Sequence, residues 1–320
     1  MIWADLAERV LGKDRRALAR AISWVEDGQE GCLDLLRALY PHTGKAHIVG
    51  VTGSPGVGKS TMVDALAVLY RAAGSTLGII AVDPTSPLTG GALLGDRIRM
   101  NRHGTDPGVF IRSLASRGRL GGLSRATGDV ISLMEAFGLD VIVVETVGSG
   151  QAEVDIMRYA HTVVVITAPG LGDEIQVLKA GTMEIGDIFV VNKADRAGAD
   201  RTVNEIRSLW KGHTQDGWVP PVYPVVARDG QGVQEVYQGV LDHRRYLVEE
   251  GGLAARVTRG LETQVREILE ETVVDYMLGK AREQGLLQEL LEEVAGRRLD
   301  PHGAVARLCD RYGWQRLKPD

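Results

Sequence analysis

Residues Gly53-Ser54-Pro55-Gly56-Val57-Gly58-Lys59-Ser60-Thr61 contain the pattern G-x-x-x-x-G-K-S and follow directly on the apolar run Ile48-Val49-Gly50-Val51. A strand, a glycine-rich turn and a helix in that order constrain the fold more than any other feature of the chain. The glycines let the backbone curl, so that consecutive N–H groups point at phosphate oxygens. A helix predicted over 59–73 adds the positive end of its dipole. The whole stretch from Gly53 to Thr61 is therefore the expected phosphate contact. Lys59 is expected to reach the β- and γ-phosphates and the Ser60 hydroxyl to ligate Mg2+. A Rossmann fingerprint is excluded, because Thr61 stands where its third glycine would be.

The pattern around this loop is strand and helix in alternation. Runs rich in β-formers occur at 47–52, 77–83, 109–112, 141–145, 162–167, 188–192 and 222–226, and helix-like stretches separate most of them. That pattern predicts an α/β fold of the P-loop NTPase kind: a doubly wound, mainly parallel sheet with helical N- and C-terminal extensions. Residues 3–40 show apolar residues at three- and four-residue spacing, which predicts helices interrupted at Asp27-Gly28. The β signal stops after Glu249-Glu250-Gly251-Gly252. Residues 253–312 then read as helices punctuated at Gly279, Gly285, Gly296 and Pro301. Val265, Ile268, Leu269 and the stretch 272–276 suggest an amphipathic face there. The expected division is 1–45, 46–250 and 251–320. The last segment is expected to be too small for its own core and to pack on the body or on a second subunit.

Ligands in such sheets sit at the carboxyl ends of strands, and the polar residues of interest fall there. Asn192-Lys193-Ala194-Asp195 reads N-K-x-D after the apolar run 188–191. The Asp195 carboxylate can accept from guanine N1–H and the 2-amino group together, whereas adenine would leave it unpaired. Ala227 stands where a backbone N–H could meet the guanine oxygen. Val141-Ile142-Val143-Val144-Glu145 is a buried strand ending in a carboxylate, expected to hold Mg2+ directly or through water. In Glu145-Thr146-Val147-Gly148 the Gly148 N–H is expected to contact the γ-phosphate. Asp83, at the end of the second run, is assigned to the Mg2+ shell, and Asp96 to a mobile switch loop and the same metal. Lys59, Asp96 and Glu145 are thus the candidate catalytic set. Arg97 and Arg99 read either as a source of transition-state charge or as ordinary surface residues. Ser149 stands where related enzymes have a water-orienting glutamine, so slow hydrolysis that a partner accelerates is expected.

Bulk properties exclude other classes. A net charge of −5 argues against bulk nucleic-acid binding. No uncharged run approaches the roughly 18 residues of a membrane span, and residues 1–9 mix charges into their apolar positions. Cys32 and Cys309 lie far apart, which leaves a thiolate metal site unsupported. A cytoplasmic location is the simplest expectation.

Several segments together resemble the MeaB/ArgK family of P-loop GTPases. They are 53–61, Asp83-Pro84-Thr85-Ser86-Pro87, Asp96-Arg97-Ile98-Arg99-Met100, 145–151, 169–176 and 183–195. The resemblance implies a homodimeric GTPase that chaperones an adenosylcobalamin-dependent acyl-CoA mutase, gates loading of that cofactor and is stimulated by the mutase. It carries over Lys59 and Ser60 to phosphate and Mg2+, Asp83, Asp96 and Glu145 to the metal and switch region, and Asn192, Lys193 and Asp195 to the base. It further implies a switch at 169–179 in which Asp173, Gln176 and Lys179 relay nucleotide state. Read without the resemblance, that stretch is a turn and helix start. The C-terminal helices would dimerise. Arg228 and Asp229 depart from the usual Leu-x after the base-binding alanine. Methylmalonyl-, isobutyryl- and 2-hydroxyisobutyryl-CoA mutases all remain open as clients. Besides a scaffold that binds nucleotide without turnover, which the intact Mg2+ set opposes, two other readings compete. One is a metallochaperone GTPase, for which only His42 and His47 stand near the loop. The other is an ArgK-like protein kinase, which N-K-x-D opposes because it disfavours ATP.

Overall fold

The structure is a computed structural model that describes residues 2–83, 103–115, 125–146, 155–170, 184–210, 214 and 217–313; the side chains of 83, 115 and 125 are outside the description. The chain divides into two compact units, Met1–Gly260 and Leu261–Asp320.

The first unit is built on seven parallel strands: β1 (His47–Thr52), β2 (Leu77–Asp83), β3 (Val109–Ala115), β4 (Val141–Glu145), β5 (Thr162–Thr167), β6 (Ile188–Asn192) and β7 (Val222–Val225). Their order across the sheet is β3-β2-β4-β1-β5-β6-β7. Strand β1 therefore lies between β4 and β5, and its carboxyl end opens between theirs. All six residues of β1 are buried. This is what a parallel strand covered on both faces requires, and it explains the run without polar alternation.

Alternate residues of each strand serve two cores. On one face Val49, Val51, Val143 and Val164 pack with Met62, Val63 and Leu66 of α4 (Lys59–Ala72). Val236 and Val240 of α7 (Val233–Glu249) join them. On the other face Ile48, Ile142, Val144 and Val163 pack with α5 (Arg125–Phe137) and with α1 (Ile2–Leu11), α2 (Arg15–Glu26) and α3 (Cys32–Leu39). The N-terminal helices thus share one core with the sheet. Asp14 caps α2 by accepting from the N–H groups of Arg16 and Ala17. The helix α6 (Ala199–Leu209) precedes β7.

Three sequence expectations are corrected. Strand β3 runs to Ala115 rather than ending at 112, because Ser113 and Leu114 pair with Ala81 and Val82 of β2. Tertiary pairing overrides their weak propensity. Gly279 does not punctuate the C-terminal segment: α8 extends from Gly252 to Glu283 straight through it. An internal glycine costs a helix only about 1 kcal/mol, which the flanking helix formers offset. The second unit also has a minimal core of its own. Ala281, Leu290 and Leu308 are buried where α8, α9 (Leu286–Ala295) and α10 (Pro301–Arg311) meet.

Candidate nucleotide site

The loop between β1 and α4 needs its glycines. Gly53 has φ +135° and a Cβ there would lie 2.0 Å from the Ile166 carbonyl oxygen; Gly58 has φ +100° and a Cβ would lie 2.3 Å from Asn192 Nδ2. No side chain fits at either position, so the loop closes on its neighbours through bare backbone. Lys59 then points back over the loop, donating from Nζ to the carbonyls of Gly53 at 2.6 Å and Ser54 at 3.1 Å. Ser60, the next residue of α4, donates from Oγ to Glu145 Oε1 at 2.7 Å. The last residue of β4 is thereby tied to the first turn of the phosphate-binding helix. Both groups are buried.

The N-K-x-D segment at the end of β6 is sewn to the same loop. Asn192 donates from Nδ2 to the Val57 carbonyl at 2.8 Å, and its Oδ1 accepts from the Ala227 N–H at 3.0 Å. Lys193 takes the left-handed conformation, φ +57°, and donates from Nζ to the Gly56 carbonyl at 2.6 Å. Ala194 N–H donates to the Val225 carbonyl at 3.0 Å. Three loops, after β1, β6 and β7, are joined by these bonds. Asn192 and Lys193 therefore link loops, and Asp195 stands exposed beside them. The Ala227 N–H expected to meet a guanine oxygen is engaged by Asn192. Arg228 pairs with Asp229 at 2.9 Å on the exposed rim. Asp229, and to a lesser degree Asp195, raise the pKa of its guanidinium.

The structure brings together Gly53 to Thr61, Glu145, Asn192, Lys193, Asp195 and Ala227. The backbone of Asp83 ends β2, paired with Ala115. Asp96, Arg97, Arg99, Gly148, Ser149, Asp173, Gln176 and Lys179 lie outside the described residues. Two residues with no motif signal belong to the site's frame: Thr52, last in β1, and Thr146, just after Glu145, meet at 3.0 Å through their hydroxyls.

His47 lies at the other end of the sheet. It is buried at the start of β1, with Nε2 at 2.9 Å from Thr162 Oγ1, which also contacts His243 Nδ1 at 2.9 Å. His243 Nε2 faces Asp187 at 3.4 Å, and Arg256 of α8 holds Asp187 through two bonds of 2.7 and 2.8 Å. Asp187 also accepts from the Val163 N–H at 2.8 Å. His47 is thus a member of a buried polar network at the amino ends of the strands. Among the described residues no three His, Cys, Asp or Glu side chains are grouped as a metal site, so His47 gives the metallochaperone reading no support.

The sequence profile of the family described as "Methylmalonyl Co-A mutase-associated GTPase MeaB" matches residues 18–282. The chain belongs to the MeaB family. A protein of Pyrococcus horikoshii named as a GTPase is 49% identical over 96% of this chain and 97% of its own. The GTPase ArgK of Escherichia coli is 33% identical over 96% of both chains. The "Methylmalonic aciduria type A homolog, mitochondrial" of Mus musculus is 34% identical over 71% of this chain and 56% of its own. A solved structure titled "LAO/AO transport system kinase" superposes with TM-score 0.72 at 26% identity, covering 97% of each chain. As a member of the MeaB family, the chain is a P-loop GTPase. None of its described helices is long and apolar enough to cross a membrane.

Proposed function

We propose that the chain is a GTP-hydrolysing chaperone that gates adenosylcobalamin loading and protects an acyl-CoA mutase, one of the methylmalonyl-, isobutyryl- or 2-hydroxyisobutyryl-CoA mutases. The observation that carries the reading is the reach of the family match. It spans 18–282, which includes most of α2, all of α3 and nearly all of α8 as well as the GTPase sheet. A likeness confined to nucleotide binding would stop at the sheet and its loops. The mouse relative's name associates it with methylmalonic aciduria, which points to the same acyl-CoA chemistry.

In this reading Lys59 exchanges its two carbonyl partners for the β- and γ-phosphates, drawn by the charge-assisted bond. Asp195 accepts from guanine N1–H and the 2-amino group. Gly148 senses the γ-phosphate, and Asp173, Gln176 and Lys179 relay the nucleotide state to the mutase. Ser60 Oγ and Glu145 Oε1 are hard oxygen donors 2.7 Å apart, a pair that suits Mg2+; Asp83 and Asp96 complete the proposed set. Bound there, Mg2+ would supply charge neutralisation at the transferring phosphate. With Ser149 in place of a water-orienting glutamine, turnover by the chain alone is slow and the mutase raises it.

The chain acts as a cytoplasmic homodimer through α8. Val265, Leu269 and Tyr276 are 64%, 60% and 64% exposed. An apolar stripe of that kind along one long helix suits a second copy. Sedimentation of the purified chain as a monomer at micromolar concentration would remove this part of the reading.

The decisive experiment measures GTP hydrolysis by the chain alone and with each candidate mutase, with ATP as control. Slow GTP turnover raised by one mutase names the client. Turnover unchanged by all three would overturn the chaperone role. ATP turnover equal to that of GTP would favour the kinase reading that the LAO/AO structure's title suggests.

A further inference from the structure

We propose that Thr146 and Thr52 are positioning residues for GTP hydrolysis. Their paired hydroxyls fasten the start of the γ-phosphate-sensing segment to the root of the phosphate-binding loop. The proposal rests on the reading of Gly148 as the γ-phosphate sensor.

Thr52 is the last residue of β1, so the next residue is Gly53 of the loop. Thr146 follows Glu145 and precedes Gly148 by two residues. Its Oγ1 donates to Thr52 Oγ1 at 3.0 Å, and its N–H donates to the Val51 carbonyl at 3.1 Å, extending the β1–β4 ladder by one rung. The side chains are 1% and 0% exposed. No water competes at that depth, and a hydroxyl pair tolerates little change of distance or angle.

The two faces of the sheet give this pair its meaning. Val49 and Val51 face α4, and Glu145 reaches Ser60 on that side. Ile48 faces the opposite core, and by alternation so does Thr52. Consecutive residues 145 and 146 therefore grip the phosphate-binding loop from opposite faces: Glu145 through the helix that follows the loop, Thr146 through the strand that precedes it. The chain returns to the Thr52 side at Ile156, which packs on Gly50. A Cβ there would lie 2.6 Å from Ile156 Cγ1. Thr146 and Ile156, the described residues near either side of 147–154, thus touch β1 at Thr52 and Gly50, two residues apart on one face. Two valines would fill the same volume in a strand at least as well, so packing alone does not call for hydroxyls. The backbone rung to Val51 sets the register of residue 146, and the hydroxyl bond adds a second, directional constraint on its side chain that an apolar contact does not supply. Ångström-scale misplacement near reacting atoms is costly in rate.

The test compares T146V, T146S, T52V and the double valine variant in the full chain. The readouts are GTP kcat, GTP KM, GDP Kd and thermal unfolding. The expected result for T146V is a fall in kcat of about tenfold or more with GDP Kd within about twofold of wild type. T146S is expected to retain at least about half of the wild-type kcat, because it keeps the hydroxyl. T52V should match T146V, and the double variant should be no slower than either single within about twofold, because the second substitution removes a bond already lost. A T146V kcat within about twofold of wild type, or single effects that multiply, would overturn the proposal. If T146V fails to fold, T52V tests the same bond from the other strand. Failure of the underlying reading is separable: G148A would then leave the preference for GTP over GDP unchanged. Loss of that preference in G148A beside a normal T146V would refute the threonine pair alone.

Discussion

The two ends of one sheet carry polar side chains under opposite rules. At the carboxyl ends, Lys59, Asn192 and Lys193 donate to backbone carbonyls of the phosphate-binding loop. A phosphate can replace the partners of Lys59, and Asp195 stands exposed beside them. At the amino ends, His47 and His243 both contact the Thr162 hydroxyl, Arg256 pairs with Asp187, which lies 3.4 Å from His243, and that carboxylate is fully buried. A polar cluster buried under the sheet's covering helices serves stability, and one whose partners a ligand can take over serves binding.

Substitution of Asp187 probes the amino end and should have the largest effect. Asp187→Ala leaves the Arg256 guanidinium without its two carboxylate bonds and the Val163 N–H without its acceptor. Breaking a buried ion pair in this way costs about 3–5 kcal/mol, read from urea unfolding. The GTP KM of the molecules that remain folded should stay within about twofold of wild type. A shifted KM would show that the two ends are coupled. Asp195→Asn is the converse at the carboxyl end. It removes one acceptor and places a donor opposite guanine, so GTP affinity should fall about a hundredfold with the unfolding transition unmoved. Xanthosine triphosphate, with a carbonyl where guanine has its amino group, should recover much of that loss. A variant that bound GTP normally would mean that Asp195 does not face the base.

The two ends were not equally legible in the sequence. The carboxyl end could be read because its chemistry is local: Gly53 to Ser60, Glu145, and Asn192 with Asp195 each lie within a short motif at the end of an apolar run. The boundaries of β1, β4, β5 and β6 follow from the same runs. The amino-end network joins residues 47, 162, 187, 243 and 256, which no spacing rule connects, and His47 alone gives no sign of Thr162. The role of Asn192 was likewise only half visible. N-K-x-D associates it with the base, whereas its two bonds go to Val57 in the loop after β1 and to Ala227 after β7, and only the folded order of the strands brings those within reach. Thr52 lies outside the motifs and Thr146 fills a variable position of E-x-x-G, so their pairing emerges only when β1 and β4 are set side by side. In α8 the uninterrupted passage through Gly279 depends on helix formers on both sides outweighing a single glycine.

Acid titration also separates the two ends. Burial pushes His161, which precedes β5 and accepts from the Ile48 N–H through Nδ1, and His243 down to about 4, and His47 falls well below the ordinary histidine range for the same reason. Asp187 partly opposes the fall at His243, while Arg244 adds to it at His47 and His161. Each of these groups binds its proton less readily in the folded chain than in the unfolded one. Their contribution to stability is therefore complete above an unfolded pKa of about 6.5 and is lost as the pH falls from there toward 4. Glu135, raised by burial, works in the opposite sense, because it takes up its proton more readily when folded. Between pH 7.5 and pH 5 a histidine that charges only on unfolding accounts for at most about 2 kcal/mol; the three histidines lower stability together and Glu135 opposes them, so a net loss is expected on acidification. Urea midpoints at the two pH values measure it. Unchanged stability would mean that water or a proton already reaches the network in the folded chain, and the contrast between a closed amino end and an open carboxyl end would then fail.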